Sequence, residues 1–150
     1  MSREFRHIVR VIDTDLDGTH RVDYALTKIK GVGSRFARAV IQKAEVDPST
    51  RVGFLSDDEV KRIEDVLLNP GRYGIAEWLL NRRKDLQTGK DLHLLTADLT
   101  LRAKADIDFM KEIKSWKGIR HIYGLKVRGQ RTKTTGRSGK AVGVRKRRRG

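Results

Sequence analysis

Apolar residues recur at helical spacing in several segments of the chain, which predicts a mainly α-helical domain. The first segment begins at Val22 and ends at the turn Gly31-Val32-Gly33. Ser34 follows that turn and is predicted to cap a second helix, which runs to about Ala44. The positions predicted to face inward on this second helix are Phe36 or Ala37, Val40 or Ile41, and Ala44.

Capping signals predict two more helices. Ser56 and Glu59 form a capping box that begins the third helix, and Asn69-Pro70-Gly71 ends it. Its inward positions are Val60, Ile63 and Leu67. Thr96 opens the longest helix, which is predicted to run to about Ser115. The predicted buried stripe of that helix consists of Leu99, Ala103, Ile107, Met110 and Ile113.

The remaining segments are shorter. Residues 5–12 mix Ile and Val with Arg and His, which predicts an extended segment. Residues 13–18 are rich in turn formers, and Asp17-Gly18 is the strongest of these signals. A short helix is expected at about residues 75–83, followed by a loop at Gln87-Thr88-Gly89.

Charge divides the chain at about residue 117. The whole sequence holds 34 Lys and Arg against 19 Asp and Glu, which gives a net charge of +15. Residues 117–150 hold 13 of these cations, no acid and only 8 hydrophobic residues. Because so little burial cannot offset the loss of chain entropy, a polyanion is expected to order this part. The predicted organisation is therefore a helical domain at 1–116 and a basic extension at 117–150.

Several classes of protein are excluded by what the sequence lacks. No apolar run approaches the roughly 18 residues of a membrane span, and the extension has no apolar stripe for a membrane surface. There is no secretory signal and no cysteine, so an intracellular protein without disulfides is expected. The sequence predicts no metal and no cofactor, because the four histidines show no ligand spacing. They are His7, His20, His93 and His121.

No enzyme is expected either. The acids Asp57, Asp58 and Glu59 suit the start of a helix better than catalysis. The sequence contains no P-loop, no Rossmann glycine pattern and no metalloprotease motif.

The glycine turn at residues 31–33 is a candidate phosphate site. Two glycines allow positive φ and let a phosphate approach the backbone, and the helix that follows offers unpaired N–H groups. The cations that surround the turn are Lys28, Lys30, Arg35 and Arg38. With these cations around it, the turn is expected to contact a phosphate or another surface of an assembly. The alternative is an ordinary tight turn between two packed helices.

The residues after Ser115 contain a longer motif. Residues 117–137 read K-G-I-R-H-I-Y-G-L-K-V-R-G-Q-R-T-K-T-T-G-R. Arg can donate two hydrogen bonds to a phosphate, and Thr and Gln add neutral donors. His121 and Tyr123 are able to stack on a base, although Tyr123 packing on the helical domain is an equally good interpretation.

This run resembles the signature of the S-thirteen family of small-subunit ribosomal proteins. The segment A-L-T-K-I-K-G-V-G-S-R at residues 25–35 is similar to the first helical hairpin of that family. The material around residues 70–95 resembles the archaeal and eukaryotic branch. The resemblance implies a small helical domain with a helix-hairpin-helix-like (helix-two-turns-helix) N-terminal part and a long extended basic C-terminal tail.

The resemblance also implies a function. The protein would be a structural constituent of the small-subunit head in cytoplasmic ribosomes, would bind small-subunit rRNA and would lie beside the S-nineteen family protein. Its N-terminal part would form inter-subunit bridges with large-subunit rRNA and the L-five family protein. Its tail would contact tRNA near the P site.

The residues predicted to carry these contacts fall into three groups. The glycine turn would bind rRNA through Lys28, Lys30, Gly31, Val32, Gly33, Ser34 and Arg35. The C-terminal motif would bind rRNA through Lys117, Arg120, His121, Arg128, Gly129, Gln130, Arg131, Lys133, Thr134, Thr135 and Arg137. The tail tip would bind tRNA through Lys140, Arg145, Lys146, Arg147, Arg148 and Arg149.

Two other functions remain compatible with the residues. One is a DNA-binding or repair protein, because helical hairpins with such glycine turns also bind DNA. The other is a free polybasic RNA chaperone, which would bind many RNAs alike without joining a particle.

Overall fold

A computed structural model describes residues 5–135 and residue 143. The chain divides into two compact units, residues 1–102 and residues 103–150. The described residues form two strands and five α-helices, so the mainly helical fold class is confirmed.

An antiparallel β-hairpin opens the first unit. Strand β1 (Ile8–Val11) pairs with strand β2 (Thr14–Asp17), and Val9 lies opposite Leu16. The extended segment is thus confirmed, and so is the turn signal at Asp17-Gly18, where the His20 N–H donates to the Asp17 carbonyl at 3.3 Å. The rest of the predicted turn was wrong, because the turn between the strands is Ile12-Asp13, with φ of 52° at Ile12. Thr14–Asp17 is a strand because Leu16 alternates with exposed acids and is buried beside Val9.

Two helical segments flank the glycine turn. Helix α1 (Val22–Ala25) is one turn long and continues as a 3-10 turn at Leu26–Lys28. Helix α2 (Ser34–Lys43) buries both candidates at each predicted inward position. These buried residues are Phe36, Ala37, Val40, Ile41 and Ala44. The prediction that Ser34 caps α2 was wrong, because Gly33 occupies the N-cap position and supplies no side chain.

Helix α3 (Asp57–Leu68) has the predicted capping box. The Ser56 N–H donates to Glu59 Oε2 at 2.7 Å, and the Glu59 N–H donates to Ser56 Oγ at 3.2 Å. Its predicted inward residues, Val60, Ile63 and Leu67, are all buried. These three residues pack with the inner faces of α1, α2 and the hairpin in one hydrophobic core.

The segment from residue 69 to residue 95 folds around a buried carboxylate. Asp85 is 2% exposed and accepts hydrogen bonds from Arg82 at 2.6 Å, Arg102 at 2.7 Å and the Thr88 hydroxyl at 3.0 Å. The Arg82 contact is the largest of those that hold the pKa of Asp85 well below its usual range. The predicted helix at 75–83 was wrong, since only a 3-10 turn forms there, at Glu77–Leu79.

The end of this segment lies on the glycine turn. The Asn81 side chain donates to the Leu94 carbonyl at 2.7 Å and accepts from the Leu94 N–H at 2.9 Å. The His93 ring stacks on Phe36 with centroids 3.7 Å apart. The Thr96 N–H donates to the Lys30 carbonyl at 2.9 Å. These contacts fix residues 93–96 against the turn.

Helix α4 (Thr96–Glu112) is less buried than predicted. Of the expected stripe, Leu99, Ile107 and Met110 are half-buried, and Ala103 and Ile113 are exposed. The physical reason is the spacing of apolar residues, which alternate at every second position from Ala97 to Phe109. On a helix, alternation spreads these side chains around the axis instead of collecting them on one face.

Helix α5 (Trp116–Ile122) follows in the second unit. Its seven residues include the first part of the predicted basic extension, so that part is helical and not extended. The residues after α5 as far as 135 contain no further helix or strand.

The pH dependence of stability tests the burial of His93. Burial lowers the pKa of His93 to about 4 from the ordinary value of 6.5, so the native state holds the ring neutral. The unfolded state takes up a proton near pH 6.5 and the native state does not. The free energy of unfolding is therefore expected to fall as pH drops from about 6.5 towards 4.

Replacing His93 with Phe keeps an aromatic ring on Phe36 but removes the titration. Chemical denaturation at several pH values should show a shallower loss of stability in His93→Phe than in the wild type over this window. Parallel curves for the two proteins would contradict a half-buried His93 that stays neutral in the native state.

Candidate nucleic-acid interface

The glycine turn presents only part of its predicted residues to a ligand. Val32 is 6% exposed and belongs to the core, so its side chain is out of reach. The exposed residues of the turn are Lys28, Lys30, Gly33, Ser34 and Arg35. The Lys28 ammonium lies 5.0 Å from the centre of the Tyr24 ring, which limits where this cation can point.

Gly31 is required for packing within the protein. Its φ is +100°, and a Cβ at this position would lie 2.4 Å from the Leu94 carbonyl oxygen. No L-residue side chain fits such an approach without displacing the backbone. At Gly31, the interpretation as an ordinary tight turn is the one that the geometry supports.

Gly33 has the opposite surroundings. Its φ is −93°, and no heavy atom lies within 4 Å of the place where a Cβ would stand. No side chain caps α2, so the N–H groups of its first turn are open beside Gly33. Of the two glycines, this one leaves the backbone accessible to an anion, with Arg35 exposed next to it.

The start of α5 is fixed against the end of α4. The Ser115 hydroxyl donates to the Met110 carbonyl at 3.0 Å and accepts from the Gly118 N–H at 3.1 Å. A Cβ on Gly118 would lie 2.0 Å from the Met110 carbonyl oxygen, so only glycine allows this approach. The exposed Lys117 and the half-buried His121 are therefore carried on a positioned helix.

Arg120 holds the turn that follows α5. Its Nε donates to the Lys126 carbonyl at 2.9 Å, and its guanidinium carbon lies 5.9 Å from the centre of the Trp116 ring. Trp116 and Tyr123 are each 72% exposed. Both rings are therefore mostly exposed, and stacking of Tyr123 on a base stays a prediction.

The residues after this turn are almost all exposed. Gly129 has φ of 71°, and the Gln130 side-chain oxygen accepts from the Arg128 N–H at 3.2 Å. The Thr135 hydroxyl donates to the Arg131 carbonyl. The predicted residues that are exposed here are Arg128, Gly129, Gln130, Arg131, Lys133, Thr134 and Thr135. The others lie outside the described residues: Arg137, Lys140, Arg145, Lys146, Arg147, Arg148 and Arg149.

This arrangement suits phosphate binding without base readout. The stretch from residue 117 onward has no acidic side chain to compete with phosphates for its cations. Guanidinium groups, hydroxyls and an open backbone contact phosphate and sugar, which position a nucleic acid but do not read its sequence.

Other kinds of site find no support in the described residues. No group of three or more His, Cys, Asp or Glu side chains there could hold a metal ion. The helices described are too short or too polar to cross a membrane. Asp57 pairs with Arg6 at 2.6 Å at the start of α3, in keeping with a capping role for the acids of that turn.

Sequence reasoning missed the Asp85 network and the exposed Trp78. Asp85 joins Arg82 to Arg102, and Trp78, seven residues before Asp85 in the chain, is 70% exposed. The pair Arg82 and Asp85 at a spacing of three was a visible signal, but the partner at Arg102 lies 17 residues further on.

Comparisons with known proteins agree with one family. Residues 10–138 match the sequence profile described as ribosomal protein S13/S18. The small ribosomal subunit protein uS13 of Staphylothermus marinus is 55% identical over 99% of this chain and 98% of its own length. The uS13 protein of Hyperthermus butylicus is 52% identical over 96% and 95%. That of Methanothermobacter thermautotrophicus is 47% identical over 99% and 100%.

The two glycines of the turn should respond differently to the same substitution. Gly31→Ala places a Cβ against the Leu94 carbonyl at positive φ, so it should lower the free energy of unfolding by at least about 2 kcal/mol. Gly33→Ala meets open space, so it should cost less than about 1 kcal/mol. Urea denaturation of both variants measures this difference, and equal effects would contradict the packing role of Gly31.

Proposed function

Because the chain belongs to the ribosomal protein S13/S18 family, we propose that it is a structural protein of the small ribosomal subunit that binds the RNA of that subunit. The family is structural, and the chain is not an enzyme. The single observation that carries RNA binding is the acid-free run of cations that begins on α5, most of which are exposed as far as residue 135.

The proposed contact begins at α5. Because Gly118 and Ser115 fix this helix on Met110, the cations at its surface keep their relative positions before RNA arrives. Less side-chain ordering then remains to be done on binding, which raises affinity. The residues from 128 to 135 continue the contact along the phosphates.

The outer half of the glycine turn is a second proposed RNA contact. Gly33 opens the backbone of the first turn of α2, and Lys30 and Arg35 supply positive charge. Gly31 and Val32 support this contact from inside, because they hold the turn on the core and on Leu94.

Finer parts of the proposal rest on the family resemblance. We place the protein in the head of the subunit, beside the S-nineteen family protein. The N-terminal part would form inter-subunit bridges with the L-five family protein and large-subunit rRNA. The tail would contact tRNA in the P site through Lys140, Arg145, Lys146, Arg147, Arg148 and Arg149.

Sedimentation separates this function from its two rivals. After lysis and a wash at high salt, a ribosomal protein should remain with the small subunits. A DNA-binding protein or a free RNA chaperone would instead wash into the soluble pool, and that result would overturn the proposal.

The salt dependence of RNA binding tests the role of the tail. If about six cations meet phosphates, log affinity should fall with log salt with a slope near −4 to −5. Deleting residues 131–150 should make the slope clearly shallower, because it removes nine of the 13 cations after residue 116. Filter binding to small-subunit rRNA at several salt concentrations measures both slopes.

Two control variants sharpen this test. Replacing the cations at 145–149 with Gln keeps the tail length and should flatten the slope in part. Lys61→Ser with Arg62→Ser removes two cations from α3 and should leave the slope unchanged. An unchanged slope in the deletion variant would refute the role of the tail.

A further inference from the structure

A cleft outside the proposed interface lies beside the 3-10 turn Glu77–Leu79. It has a volume of about 560 Å³, which falls within the range of about 300–1,000 Å³ typical of ligand sites. We call it the Trp78 cleft, and it is lined by Glu77, Trp78, Arg83, Lys84 and Asp91. None of these side chains belongs to the proposed RNA interface.

The turn presents Trp78 outward because its neighbours are held inward. Ile75 is buried, and Leu79 and Leu80 pack against the core. Trp78 is left 70% exposed, although indole is among the largest apolar groups that a protein can bury. The indole is therefore displayed from an anchored backbone.

The far wall of the cleft is ordered as well. The Lys84 N–H donates to Asp91 Oδ1 at 2.7 Å, which orients that carboxylate. The Asp85 N–H donates to the Lys90 carbonyl at 3.0 Å, and the Asp85 carboxylate is held by Arg82 and Arg102. The loop that carries Arg83 and Lys84 is thus closed by internal hydrogen bonds.

We propose that the Trp78 cleft binds one unpaired base of an RNA strand and its phosphate. The base would stack on the indole of Trp78, a contact that every nucleobase can make. Arg83 and Lys84 would neutralise the adjoining phosphates. The carboxylates of Glu77 and Asp91 would accept hydrogen bonds from the exocyclic amino group of the base.

The mixture of charges favours a nucleotide over a peptide. The occupant must offer a flat ring to the indole, negative charge to two cations and N–H donors to two carboxylates. A nucleotide carries all three within one residue, whereas a peptide needs several side chains in a fixed order. The carboxylates further favour cytosine over uracil, because cytosine has an amino group where uracil has a second carbonyl.

This inference rests on the proposed function, since it names a second kind of contact with the same class of ligand. The test therefore measures ligand binding in the cleft and overall RNA binding separately. Trp78 and Trp116 are the two tryptophans of the chain, so Trp116→Phe makes Trp78 the sole indole reporter. The probes are oligocytidylate and oligouridylate hexamers, added to the full chain in a moderate salt concentration.

The expected result is quenching of Trp78 fluorescence by both hexamers. Half-saturation should need an oligocytidylate concentration about fivefold lower than the oligouridylate concentration, or lower still. Arg83→Ser with Lys84→Ser should weaken the quenching by both probes. Leu86→Ser is the matched control, because Leu86 is 78% exposed on the same loop but does not line the cleft. It should leave the titration unchanged.

Three outcomes would overturn the inference. If labelled small-subunit rRNA binds but Trp78 fluorescence does not respond to either hexamer, the cleft proposal fails and the proposed function stands. If a lysine-rich peptide quenches Trp78 and the hexamers do not, the occupant is a protein. If neither rRNA nor the hexamers bind, both proposals fail together.

Discussion

The approach of the Leu94 carbonyl to Gly31 is the contact on which the first unit depends. A Cβ at Gly31 would lie 2.4 Å from this oxygen, so the two backbones meet only because residue 31 has no side chain. The approach allows Thr96 to donate to Lys30 and allows His93 to stack on Phe36. It also assigns the inner half of the turn to folding, so that only the outer half, at Gly33, is left for a ligand.

Helices with a clear apolar face were predictable from local sequence. The inward residues of α2 and α3 and the capping box at Ser56 follow from spacing within one helix, and all were confirmed. Strand β2 was missed because its single buried residue, Leu16, is surrounded by polar residues typical of turns. Residues Thr96–Glu112 are helical as predicted, but the alternating apolar residues of this helix do not form a fully buried stripe.

The candidate site also has features that were predictable from local sequence and features that were not. The acid-free run after residue 116 was predictable from composition alone, because the charge of a segment follows from its residue types and does not depend on how the chain folds. The Asp85 network was not, since Arg82 and Arg102 reach the same carboxylate from positions 20 residues apart in the chain. The opposite roles of Gly31 and Gly33 likewise depend on Leu94, which no pattern near the turn could reveal.

Two of the RNA contacts proposed for this chain, the run after residue 116 and the Trp78 cleft, obey different physics. The run after residue 116 gains affinity from uncompensated charge, which acts over about 10 Å at ordinary salt and does not distinguish bases. The Trp78 cleft balances two cations with two carboxylates, so it attracts RNA weakly at a distance and discriminates only at contact. The proposed cleft would therefore select a base only once a strand is already in contact with it. Affinity and selectivity would then reside in separate segments, and a change in one could be made without loss of the other.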